Sequence, residues 1–351
     1  MKDLKYILAY IIPLSAVWGI QTGGWWSYAA VMIAFILLPV AEEFILPKST
    51  SNLSEGDESV RLSNRFFDWL LYLNLPLLYW VLWIYFQQLT TGQLAIYETI
   101  GMTLSAGVIV AILGINVAHE LGHRTTWYEQ LMSKMMLMSA LYMHFFIEHN
   151  KGHHKNIATD LDPASAKYNE VIYAFWFKSV IGGYFSAWQI ENTRLRRANQ
   201  SVFSWNNEMI WYHLVQAAYL VAIGLYFGWV AVLGAVVVAM IGFFLLESIN
   251  YVEHYGLRRK RLASGRYEPV SPRHSWNSNH ELGRIFLYEL TRHSDHHYKA
   301  TRKYQVLRHF EQSPQLPQGY PASILLALVP PLWFRRMNPK VKAYNNLQSS
   351  N

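Results

Sequence analysis

The chain contains no cysteine. That absence removes disulfides, Cys-ligated zinc, iron–sulfur clusters and Cys-held mononuclear iron from its own chemistry, so an electron-transfer centre of those kinds would have to sit on another protein. Charge is scarce as well. Of 351 residues, 15% are charged and 52% hydrophobic, a balance unusual for a soluble protein and natural in a lipid solvent. Lys and Arg are missing from the long apolar runs and collect between them, so the net charge of +7 marks membrane topology rather than a nucleic-acid surface. Internal repeats and low-complexity tracts are absent too. Lys2 and Lys5 precede the first apolar run, but no small-residue cleavage site and polar start follow it, which favours a retained helix over a signal peptide.

What is present is a set of six runs, each near the 20 or so residues that cross a bilayer. They lie approximately at Tyr6–Gln21, Trp26–Leu46, Phe67–Gln87, Ile96–Ala118, Met209–Tyr226 and Trp229–Glu247. The short turns "QTGGWW", "QLTTGQ" and "FGW" carry no Lys or Arg. The N-terminus, the loop "PKSTSNLSEGDESVRLSNR", segment 119–208 and the tail from His254 hold all thirty. With six helices these two groups fall on opposite faces, and the positive-inside rule puts both termini and the histidine-rich segments in the cytoplasm. "VIYAFWFKSVIGGYFSAW" is interrupted by Lys178 and "ASILLALVPPLWF" contains paired prolines, so both read as interfacial helices. The expected fold is an all-α integral membrane protein, one embedded domain over residues 1–351 with cytoplasmic segments 119–208 and 254–351.

Of fourteen histidines, eight form three clusters: His119 and His123 in "HELGH", His149, His153 and His154 in "EHNKGHH", and His293, His296 and His297 in "RHSDHH". Helical spacings of one, three and four bring neighbouring imidazoles within reach of a common centre. H-E-x-x-H by itself is the signature of a zinc protease, with Glu120 as general base. One zinc needs three or four ligands and would strand most of these rings, so two metals explain them better. Imidazole suits zinc, copper, iron and nickel alike; the nitrogen-rich site on an apolar scaffold points toward redox iron. "HELGR" at His280 echoes the first motif, but Arg284 stands where a second ligand would be.

The set H-x3-H, H-x3-H-H and H-x2-H-H resembles the integral-membrane di-iron desaturases and hydroxylases. The words "HELGHR", "FFIEHNKGHH", "NYVEHYGL", "HSWNSNH" and "RHSDHHYKATRKYQ" narrow the resemblance to the bacterial alkane 1-monooxygenases, over most of the chain. The resemblance adds His254 as a ninth ligand candidate. It implies two non-haem irons without haem or flavin, O2 as cosubstrate, and terminal hydroxylation of medium- or long-chain n-alkanes to 1-alkanols. It also implies a bacterial inner-membrane location and electrons from a separate rubredoxin, itself reduced by an NAD(P)H-dependent reductase. Some relatives carry a fused rubredoxin, which a chain without cysteine does not. A desaturase or hydroxylase of fatty acyl lipids, or an oxidiser of alkyl-aromatic methyl groups, is the close alternative; an intramembrane zinc protease and a non-enzymatic metal-binding protein are remote ones.

Metal-bound imidazoles usually donate their second N–H to a carboxylate or carbonyl. Glu120, Glu148, Asp160, Asp162, Glu253 and Asp295 are near enough in sequence, against the plainer reading of surface charge or helix caps, and the resemblance favours Asp162 in "TDLDPAS". Glu42, Glu43, Asp68 and Glu98 fall near span ends and read as interfacial. The run Arg258–Arg261 reads as a headgroup anchor in preference to a docking patch.

Overall fold

The computed structural model describes residues 2–46 and 48–349; Met1, Pro47, Ser350 and Asn351, which belong to the N-terminus, first long loop and tail set out above, lie outside the described residues. Among the described residues regular structure is helical, and extended backbone pairs only in isolated bridges. Six helices are long and apolar enough to cross a membrane: Asp3–Thr22, Gly24–Phe44, Phe66–Thr91, Ile96–Gly122, Glu208–Phe227 and Trp229–His254. These are the six expected spans; five extend further at one or both ends, while the second starts two residues earlier and stops at Phe44 instead of Leu46. The sixth continues past the apolar run to His254 because Glu247, Ser248, Asn250 and Glu253 are buried within it, so its polar end is still a packed helix.

Residues up to Leu37, 64–148 and 187–246 form one compact unit. Lipid offers helices no hydrophobic drive to associate, so close approach through small residues has to hold them. A Cβ on Gly107 would lie 2.4 Å from Ile241 Cγ2, and one on Gly242 2.6 Å from Val110 Cγ1, so the fourth and sixth spans interlock reciprocally. We expect Gly107→Leu to cost about 1–3 kcal/mol of overpacking and to lower the thermal midpoint in detergent; an unchanged midpoint would contradict this contact. At the other end of the fourth span, Glu98 accepts the Ala95 N–H at 2.8 Å and the Gly24 N–H at 2.6 Å. It thereby caps its own helix and fastens the turn between the first two spans.

The fourth span leaves α geometry over Val110–Val117, a π-helical stretch that runs directly into Ala118–Gly122. Such stretches displace the helix face and gather at functional sites. Here one feeds "HELGH".

Residues 38–63, 149–186 and 247–349 form the second unit. Its core is aromatic: Trp333 packs 5.6 Å from Tyr251 and 5.4 Å from Tyr255 between ring centroids, and Phe175 lies 5.4 Å from Tyr251. The helix Ile172–Arg197 buries Ile172, Phe175 and Ser179 but turns Tyr173, Phe177, Ile181 and Phe185 outward, an exposed apolar stripe at four-residue spacing. The tail helices and the bend joining them behave alike, with Ile324, Trp333 and Met337 inside and Leu325, Val329 and Leu332 outside. Apolar surface on both faces suits helices lying in the membrane interface. Glu42, near the end of the second span, is buried within the protein, so close to Gly283 and Gly319 that a Cβ on Gly319 would fall against its Oε2.

Candidate metal centre

Seven of the nine candidate histidines lie in the second unit. His149 and His153 sit on a single π-helical turn, His149–His153, which passes into His154–Asn156. His254 ends the sixth span, and His293, His296 and His297 line the short helix His293–Tyr298. The π turn matters because a regular helix would bring only His153 over His149, and those two rings do lie stacked at 5.2 Å. The wider turn also lets His154 meet His149, Nε2 to Nε2, at 3.0 Å.

The rings gather in two sets. His154 Nε2 is also 3.0 Å from His296 Nε2, so His149, His154 and His296 converge. In the other set His293 Nε2 lies 2.8 Å from His297 Nε2 and 3.3 Å from His254 Nε2. His153 completes it, each member offering a nitrogen within 4.8 Å of the rest. All are buried except His154, which is half-buried.

Two neutral imidazoles can share one proton, but a third Nε2 converging on the same point brings lone pairs face to face. A cation resolves that repulsion. Ligands about 2.1 Å from a metal and about 90–110° apart lie about 3.0–3.4 Å from one another; the pairs at 3.0 and 3.3 Å fall in that range and His293–His297 at 2.8 Å lies just below it. Burial, with the rings of His154, His293, His153 and His254 close by, holds His297 well below the ordinary imidazole value. It is therefore neutral at pH 7 and has a lone pair to give, as a ligand must. The donor set fits a nitrogen-preferring transition metal.

Asp162 Oδ2 meets His153 Nδ1 at 3.0 Å, receives the Ser165 hydroxyl at 2.5 Å, and its Oδ1 accepts the Ala164 N–H at 3.0 Å. Burial works to raise this carboxyl, but the His153 ring and the Ser165 hydroxyl outweigh it and hold it below its ordinary value. The charged carboxylate fixes the His153 tautomer and presents Nε2 to the other rings. Glu253 Oε2 lies 3.1 Å from His293 Nε2, with both side chains buried.

The other carboxylates have different positions. Asp295, wholly buried between two histidines in sequence, accepts the Arg308 N–H at 2.8 Å and pairs with Arg302 and Arg308 at 3.4 Å. It anchors the helix His293–Tyr298 to the following loop. Asp160 is exposed on the surface, and Glu148 is buried immediately before His149.

In the first unit the His119 and His123 rings stand edge to face, 4.9 Å apart, at the end of the fourth span. Glu120 does not have the freedom of a protease base: Arg124 donates to its Oε1 from Nε at 3.0 Å and Nη2 at 2.8 Å, and reaches Asp68 at 3.2 Å. Asp68 thus pins the residue after "HELGH" to the third span.

Sequence reasoning missed the residues that hold the histidine-bearing helices together. Asn277 Oδ1 accepts the Ser294 N–H at 2.9 Å and its Nδ2 donates to Ser294 Oγ at 2.7 Å, clamping the start of His293–Tyr298. Trp276 Nε1 donates to the Tyr255 carbonyl at 2.9 Å, fastening the same strap to the residue after His254. Both lie in "HSWNSNH", which carried a family likeness but no spacing that announces a clamp. His280, in the same word, turns its Nδ1 to Ser278 Oγ at 2.8 Å, while Arg284 is paired with Glu289 at 2.7 Å. Burial pushes the His280 ring down to about 4.

The fatty acid desaturase family profile matches residues 96–324. The chain is 38% identical to alkane 1-monooxygenase 2 of Pseudomonas aeruginosa over 95% of its own length and 92% of that protein. It is 36% identical to alkane 1-monooxygenase 2 of Alcanivorax borkumensis over 96% of this chain and 89% of that one. At 30% identity, covering 98% and 90%, it also matches the xylene/toluene monooxygenase hydroxylase component of Pseudomonas putida.

Proposed function

The chain belongs to the fatty acid desaturase family, among its alkane 1-monooxygenases, and from that premise we propose that it hydroxylates the terminal carbon of medium- or long-chain n-alkanes at two histidine-held irons. It is a membrane oxidoreductase; the inner membrane as its location, cytoplasmic ligand segments and rubredoxin as electron donor belong to the proposal. The observation that carries the reading is the convergence of buried imidazole nitrogens in two sets. His149, His154 and His296 serve one iron, His153, His254, His293 and His297 the other, and His119 and His123 complete the nine.

When bound, the irons supply reductive O2 activation strong enough for an unactivated C–H bond, chemistry no side chain performs. The protein's part is placement and exclusion. Asp162 keeps His153 in one tautomer, Asn277 fixes the helix bearing three ligands, and burial of the rings keeps water from the reacting centre. An alkane has no polar handle, so its end must be aimed by the shape of an apolar passage. Its partition into lipid is the physical reason for a membrane enzyme.

The test is a coupled assay of the purified, iron-loaded protein with rubredoxin, its reductase and octane or hexadecane. We expect 1-alkanol and two irons per chain. An alkene, a hydroxyacyl lipid or oxidised alkyl-aromatic methyl groups without 1-alkanol would overturn the substrate; one zinc with no iron would overturn the chemistry.

A further inference from the structure

Resting on that reading, we propose that the basic hairpin at 258–268 docks an acidic one-electron carrier, beside the ligand nearest to solvent. His154 is the half-buried member of the second unit's ligands. Its chain neighbour Lys155 lines a recess of about 510 Å3 shared with Thr159, Leu161, Arg259, Arg261 and Arg266. Electrons delivered here meet a metal ligand one residue from the docking floor.

The hairpin closes through a bridge between Arg261 and Tyr267 and turns at Gly265, φ +77°. It is built rigidly onto the ligand segment. The Arg259 N–H donates to the Ala158 carbonyl at 2.8 Å, and its guanidinium donates to the Lys155 carbonyl at 2.9 Å and to the Glu268 carbonyl at 2.7 Å. Arg258 likewise turns to the Leu257 carbonyl at 2.9 Å. The run read from sequence as an anchor is therefore divided: Arg258 and Arg259 form the frame, while Lys155, Lys260, Arg261 and Arg266 remain exposed.

Segments 155–161 and 258–268 hold six cations against two carboxylates, Asp160 and Glu268. Exposed Leu161 and Leu262, 66% and 47% accessible, add apolar surface at the same place. A preorganised basic recess with a small apolar component suits the weak, charge-steered encounters of redox partners. The other basic stretch near ligands, 299–308, is less suited because Arg302 and Arg308 turn inward to Asp295, and Arg302 also pairs with Glu58 at 3.3 Å.

The test uses the full-length protein in neutral phosphatidylcholine nanodiscs with purified rubredoxin. The double variant Arg261→Glu with Arg266→Glu is expected to raise the KM for rubredoxin about tenfold or more at low salt, with kcat nearly kept and the difference shrinking as salt rises. Carbodiimide coupling of lysines to carboxylates should join rubredoxin to Lys155 and Lys260; links only at Lys299, Lys303 or Lys340 would overturn the assignment. An unchanged KM, with activity depending instead on anionic lipid, would make the hairpin a headgroup anchor and also overturn it. Single-turnover 1-alkanol formation driven by dithionite should be equal in wild type and variant. Its absence from the wild type would strike the hydroxylase reading, not the docking surface.

Discussion

His153→Ala is expected to leave the protein inserted in the membrane while abolishing both iron binding in its set and 1-alkanol formation. The imidazole lies in a buried quartet with His254, His293 and His297, so no solvent ligand can readily replace it. Its removal also leaves the Asp162 carboxylate buried beside a cavity, its partner cation or metal-bound ring gone. His296→Ala should do the same to the set of His149 and His154. His280→Asn is the contrast: His280 is equally buried, but its Nδ1 is engaged by Ser278 and it stands outside both ring clusters. Iron per chain, measured after purification, should fall in the first two variants and stay at the wild-type value in the third. Two irons and wild-type turnover in His153→Ala would contradict the ligand assignment, whatever the third variant did.

Which of these groups could be read from sequence follows from the range of each signal. Spans and histidine clusters are local patterns: apolar length is counted along the chain, and H-x3-H needs only helical periodicity to bring two rings together. His254 had no local partner, because it meets His293 across 39 residues, and only the words around it marked it out. The π turn at His149–His153 was hidden because "EHNKGHH" fits a regular helix equally well. Carboxylates were the least legible. Asp160 and Asp162 are two residues apart in one loop, yet one is exposed and the other wholly buried against His153. Asp295 sits between two candidate histidines in sequence and faces arginines, since a side chain's direction depends on what packs from distant segments. The burial of Glu42 was equally hidden, because nothing nearby in sequence announces the glycines at 283 and 319 that accommodate it.

Asp162→Ala carries the second large effect, a loss of about 10–100-fold in iron affinity or turnover, the usual cost of removing the group that orients a metal-bound imidazole. Asp162→Asn keeps an oxygen that can accept the His153 Nδ1–H but no charge to strengthen the ring as a donor, so it should fall between wild type and alanine. A loop effect could imitate this, because Ser165 Oγ both donates to Asp162 and accepts the Ala158 N–H at 2.8 Å. Ser165→Ala separates the two. It cuts the loop tie but leaves the carboxylate on the ring, so it should lower the unfolding midpoint while iron passes to a chelator at nearly the wild-type rate. If Ser165→Ala released iron as fast as Asp162→Ala, the carboxylate would act only by holding the loop. If Asp162→Ala released it at the wild-type rate, the tautomer of His153 would be set by something other than Asp162. The ordering expected from the geometry, wild type and Ser165→Ala retaining iron longest, then Asn, then Ala, follows from one contact: a buried carboxylate 3.0 Å from Nδ1 that leaves Nε2 as the nitrogen turned toward the other rings.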